Sequence, residues 1–222
     1  MFDYPRQAEF GRVLPKSKIY EFAKPGKVVR ARFVELVREV VWKYKLSPET
    51  VNLPAARGIE EIQVFVVTVK RGDVSAAALR TVLSAIDQAI LSPIFYQVRF
   101  GDRVQFVAAY KRLADTGEVK PVIEAWFETD WTDTGPLRPL PLALDLAGLY
   151  EQMLRAHIGS PARAGETLRE QVARVGEARA REAECRRLEA RLRREVQFNR
   201  KVEINAALRL KKAELARLVE VS

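Results

Sequence analysis

The stretch from Ile59 to Lys70, "IEEIQVFVVTVK", constrains the fold more than any other. It is rich in β-branched residues and bounded by Gly58 and Gly72, so it reads as a strand. Alternation puts Ile62, Val64 and Val66 on one face and Phe65, Val67 and Val69 on the other. Both faces are apolar. Such a strand belongs at the centre of a sheet that is covered on both sides.

Its neighbours supply the covering layers. Between Val28 and Lys45, the residues Phe33, Leu36, Val37, Val40, Val41 and Tyr44 recur at helical spacing and predict one amphipathic helix. Ser47-Pro48-Glu49 then offers an N-cap and a single helical turn. Asp73 or Ser75 caps a second helix, with Leu79, Val82, Leu83, Ile86 and Ile90 as its stripe and Pro93 as its end. Ile94 to Phe100 and Val104 to Tyr110 read as a hairpin about Gly101-Asp102, and Val122 to Trp131 as a further strand. The opening residues form an arm with at most a short helix around Lys18 to Phe22. This order predicts an α/β fold over residues 1–135, a mixed sheet of about four strands with flanking helices.

"TGPLRPLPLALD" marks a boundary. Residues 136–160 form a proline-rich linker and a packing helix, capped by Asp145 and burying Leu146, Leu149, Tyr150, Met153 and Leu154. After "GSPARAG" comes a basic helical arm, residues 161–222. From Glu166 to Glu220 it has no proline and only Gly176 as a weak point. That is roughly 80 Å of helix, which must pair with itself or with a partner. A coiled-coil register places Cys185, Leu192, Asn199 and Ala206 at a, with Leu188, Glu195 and Val202 at d. Glu195 is poor at d, and the stripe shifts beyond it as a stutter would produce.

The net charge is +9, and residues 161–222 hold 16 Lys and Arg against 10 Asp and Glu. On one continuous helix, Arg186, Arg193 and Arg200 at b, with Arg187, Arg194 and Lys201 at c, form an outward stripe. It is either a ladder for nucleic-acid phosphates or a solvated face balanced by Glu182, Glu189 and Glu203.

Signals for catalysis are weak. Glu61-x-Gln63 has the spacing by which nucleases of the restriction type hold a metal. They also need an aspartate on the preceding strand, and the reading above puts a helix there. Glu124, Glu128 and Asp130 share a strand face, as metal ligands or as a half-exposed edge would. His157, the only histidine, sits near a helix end where a cation is at home. Phosphate-loop, dinucleotide and zinc-protease motifs are missing from the sequence, and no cofactor or metal is called for. One cysteine, Cys185, rules out an internal disulfide. The chain has neither an apolar leader nor a membrane-length apolar run, and a cytoplasmic location is expected.

"LPKSKIYEF", "VVWKYKLSPETVNLP", "EEIQVF" and "QFNRKVEINAALRLKKAEL" together resemble a prokaryotic family known as domain of unknown function 4391. The resemblance covers nearly the whole chain and carries over no catalytic residues. It implies a companion of helicases and DNA methyltransferases in restriction-like, phage-defence gene clusters. The expectation is therefore a non-catalytic accessory subunit that docks on a helicase or methyltransferase. Its C-terminal helix would join a partner helix, in another protein or a second copy, or contact DNA. Docking would use Lys45, Ser47, Glu49 and Asn52 in the globular part, and Leu188, Leu192, Asn199 and Val202 on the arm. The alternative is a metal-dependent nuclease centred on Glu61 and Gln63.

Overall fold

The computed structural model describes residues 2–113 and 121–220, in two compact units, Met1–Gly159 and Ser160–Ser222. The first unit opens with β1 (Phe2–Asp3), β2 (Glu9–Val13), α1 (Lys16–Ala23), α2 (Lys27–Leu36), β3 (Val37–Leu46) and α3 (Pro48–Val51). It continues through β4 (Ile62–Val69), α4 (Ala76–Ala89), β5 (Ile94–Phe100), β6 (Arg103–Leu113) and β7 (Pro121–Glu128). The short β8 (Thr132–Asp133) and β9 (Arg138–Pro139) precede α5 (Leu146–Arg155). The second unit holds α6 (Leu168–Arg194) and α7 (Phe198–Val219).

The fold is the mixed α/β type that the strand pattern predicts. The sheet runs β2-β3-β4-β5-β6-β7, with β8 also on β6. Within this sheet, among the described residues, only the β4–β5 pair is parallel, because α4 carries the chain back across the sheet between them. β4 lies inside the sheet, and Ile62 through Val67 are all buried. On one face Phe65, Val67 and Val69 pack with Phe33, Leu36, Leu79 and Leu83. Burying side chains of this size contributes about 1.5–3 kcal/mol each. Strand alternation sends Phe95 to the other face, where its ring meets Tyr150 of α5.

The expected caps form. Ser47 and Thr50 make a reciprocal capping box on α3, Ser75 accepts from Ala78 N, and Asp145 accepts from Gly148 N at 2.7 Å. Gly101 takes the first loop position of the β5–β6 hairpin at φ +55°, which glycine adopts without a steric cost.

Two expectations are corrected. The helix predicted over Val28–Lys45 stops at Leu36, and Val37–Leu46 is a strand paired antiparallel with β4. Together with β2, this strand widens the sheet beyond four strands. The C-terminal arm is helical, as expected, but it is interrupted between Arg194 and Phe198, and α7 packs back along α6. Arg181 Nε lies 3.1 Å from Glu214 and Lys212 Nζ 2.8 Å from Glu189, which fixes the pair as antiparallel. Cys185, Ile204 and Leu208 are its buried residues near the middle. The apolar stripe of this arm is thus covered, in part, by the arm itself.

Candidate functional site

Glu61 stands one residue before β4 and Gln63 is inside it, 2% exposed. A buried amide needs partners, and Gln63 has two. Its Oε1 accepts from Trp42 Nε1 at 2.8 Å, and its Nε2 donates to Glu61 Oε2 at 2.7 Å. The other oxygen of Glu61 faces Lys45 Nζ at 2.5 Å, both side chains about one-third exposed. The strand preceding β4 therefore exists after all, but the residue beside Glu61 is a lysine. One carboxylate, here paired with an ammonium, falls short of the several oxygen ligands a divalent cation takes. Trp42, Glu61 and Gln63 line a cavity of about 330 Å³, with Phe22, Ile90 and Ser92 on its other walls.

A second polar cluster lies buried under α4. Lys111 Nζ is 2.7 Å from Asp87 Oδ1, at 3% and 0% side-chain exposure. It also donates to the carbonyls of Ile90 and Ser92, each at 3.0 Å. Tyr96 Oη donates to Asp87 Oδ2 at 2.8 Å. Burial pushes the Asp87 carboxyl up and the Lys111 amine down, because both charged forms lose water. The ammonium meets backbone carbonyls that the end of α4 leaves unpaired, a favourable place for a cation. This is an anchor for α4 against β6. Sequence reasoning passed over it, although an aspartate inside the apolar stripe of α4 and a lysine ending an apolar strand were its visible signals.

The other candidates are dispersed. Glu128 is held by Arg80 Nη2 at 2.5 Å, and Asp130 is exposed. No cluster of three metal-capable side chains gathers among the described residues. His157 is not an exposed helix-terminal cation. Its ring lies among Phe2, Phe95 and Phe106, and burial lowers its pKa. In the proposed docking loop Ser47 is buried and donates to Glu49 Oε2 at 2.6 Å, while Glu49 and Asn52 are exposed. The Ser47 hydroxyl holds the Glu49 carboxyl below its usual range.

On the arm, Leu188 and Leu192 are half-buried, whereas Asn199 and Val202 face solvent. The register changes at the interruption, so Ile204 and Leu208 fill the α7 side instead. Arg186, Arg187, Arg193, Arg194, Arg200 and Lys201 are all exposed. They do not form one straight stripe. The first four lie towards the end of α6 and the last two at the start of α7, bracketing a turn that carries Val196 at 87% and Phe198 at 77% exposure. Arg186 is ion-paired with Glu182 at 2.8 Å. At the other end of the hairpin Arg174, 6% exposed, binds Glu166 at 2.6 Å and the Leu218 carbonyl at 3.1 Å.

A mixed α/β domain followed by a basic helical hairpin is the class of protein these features define. The chain belongs to the family described as Domain of unknown function (DUF4391), which matches residues 2–215. No curated protein and no solved structure matches it. No helix among the described residues is long and apolar enough to cross a membrane.

Proposed function

We propose that the chain is a non-catalytic accessory subunit of a prokaryotic DNA-targeting complex of the phage-defence or restriction-modification type. In this reading the α/β domain docks on a helicase or methyltransferase, and the hairpin tip engages a partner or DNA. The observation that carries it is the tip itself. Val196 and Phe198 stand nearly bare, flanked in the chain by the exposed cations Arg193, Arg194, Arg200 and Lys201. Large apolar side chains left in water beside concentrated charge mark contact surfaces, and the surrounding charge selects an acidic or polyanionic partner. Glu61, paired with Lys45 and in no group of three metal-capable side chains among the described residues, supports a binding role over cleavage. The experiment is affinity capture of the full chain from its native cells, beside a V196S/F198S variant. A helicase or methyltransferase should accompany the wild type, and the further partner or DNA that the tip engages should be depleted with the variant. Capture of neither enzyme would reject the reading.

A further inference from the structure

We infer that the cleft bounded by β5, β6, the end of α5 and the segment Thr132–Arg138 is a nucleotide-binding site, with the base held among aromatic rings. It encloses about 380 Å³, within the range of about 300–1,000 Å³ typical of small-molecule sites. Its wall is a fan of rings. The centroids of Phe95, Phe106 and Phe2 lie 5.5, 5.8 and 6.3 Å from that of His157. Such walls favour a flat π-system, since every base offers a face on which aromatic side chains stack.

Two polar groups in the cleft have defined roles. His157 Nδ1 is 2.8 Å from the Met153 carbonyl. A carbonyl only accepts, so Nδ1 carries the proton, and in the neutral ring Nε2 is left as an acceptor. Gln97, 2% exposed, accepts from Arg99 Nη2 at 3.1 Å through its oxygen, which leaves its NH2 end to donate. An acceptor and a donor together match an amino group beside a ring nitrogen. That is the edge adenine and cytosine present, and a ring N–H beside a carbonyl, as in uracil and guanine, meets the same pair, so the two groups hold a base without choosing among bases. At the rim stand Asp133 and Arg138, both exposed. A carboxylate suits ribose hydroxyls, and a guanidinium suits a phosphate. A lipid chain would leave the buried Gln97 amide without a partner, and one imidazole with one carboxylate is too few ligands for a metal site.

The residues of the site all belong to the first unit, and the assignment does not depend on the accessory-subunit reading. The test is calorimetric titration of the full chain with AMP, CMP, ribose 5-phosphate and adenosine. AMP or CMP should bind at sub-millimolar concentration, and ribose 5-phosphate, with the same sugar and phosphate but no base, at least about tenfold more weakly. Phe106→Leu keeps an apolar side chain at a half-buried position and removes the stacking face. It should weaken nucleotide binding about tenfold while circular dichroism and the melting temperature stay near wild type. Arg138→Gln should weaken AMP but leave adenosine unchanged. No binding of AMP or CMP at millimolar concentration would overturn the assignment. Equal binding of ribose 5-phosphate would do so too, as would an affinity unaltered in a folded Phe106→Leu variant.

Discussion

Lys45 Nζ lies 2.5 Å from Glu61 Oε1, beside the rung where Lys45 and Gln63 face each other across β3 and β4. A metal-dependent nuclease would need further carboxylates at this place, and no group of three metal-capable side chains gathers there among the described residues. No cleavage of supercoiled or linear DNA is expected with Mg²⁺ or Mn²⁺. Cleavage that disappears in Glu61→Ala would instead assign the metal-dependent nuclease. The pair is about one-third exposed, so Lys45→Ala should cost no more than about 1 kcal/mol in a urea titration.

The buried pair of Asp87 and Lys111 behaves differently. Removing one partner leaves a polar group in the core with no compensation, at about 3–5 kcal/mol. Lys111→Met should therefore destabilise the first unit by that order. Joint replacement, Asp87→Leu with Lys111→Met, should recover much of the loss but not all of it. The carbonyls of Ile90 and Ser92 would still lack the donor that Lys111 supplies. Denaturant midpoints for the two single variants and the double variant test this. Additive losses would show that the two side chains are not coupled.

A pH dependence follows from Glu166, whose carboxyl Arg174 lowers to about 2. The folded value lies below the unfolded one, so the pair stabilises above the unfolded pKa, about 4.5, and its contribution fades as pH falls towards about 2. After discounting for solvent screening, about 1–2 kcal/mol should be lost across that window. Glu166→Gln should melt lower at pH 7 and show a flatter acid limb. An unchanged acid limb would mean that the pair contributes nothing.

How far these features were legible depends on which interaction decides each one. The β4 strand, the hairpin at Gly101, and the caps at Ser47, Ser75 and Asp145 are decided by local chemistry, and their residues announce them. Val37–Leu46 is decided by pairing with β4. Its register slips between Val37 and Glu39 and again between Trp42 and Tyr44, so its apolar residues lose the period of two and mimic a helical stripe. The interruption after Arg194 has no proline or glycine to signal it. Glu195 supplies its own local satisfaction by accepting from Val196 N and Gln197 N at 2.9 and 3.0 Å. The folding back of α7 on α6 is a tertiary event. The Gln63–Trp42 and His157–Phe95 contacts join residues distant in sequence, which no spacing rule brings together.

The six cations around the turn give the most quantitative expectation. All are exposed, and the contacts that hold the opposite end of the hairpin, Arg174 with Glu166 and Leu218, do not involve them. Replacing Arg186, Arg187, Arg193, Arg194, Arg200 and Lys201 with Gln preserves helix propensity closely, so a loss of binding would not reflect unfolding. If each cation neutralises one phosphate on duplex DNA, log K should fall against log salt with a slope of about −5. A single Arg→Ala should reduce that slope by about one. Sequence preference should be slight, because phosphate contacts position a protein without reading bases. Arg186, already paired with Glu182, should contribute least. A salt titration of the wild type and the six-Gln variant on one duplex measures all of this. Equal affinities and equal slopes for the two proteins would show that the charge is a solvated face and that the tip acts through Val196 and Phe198 alone.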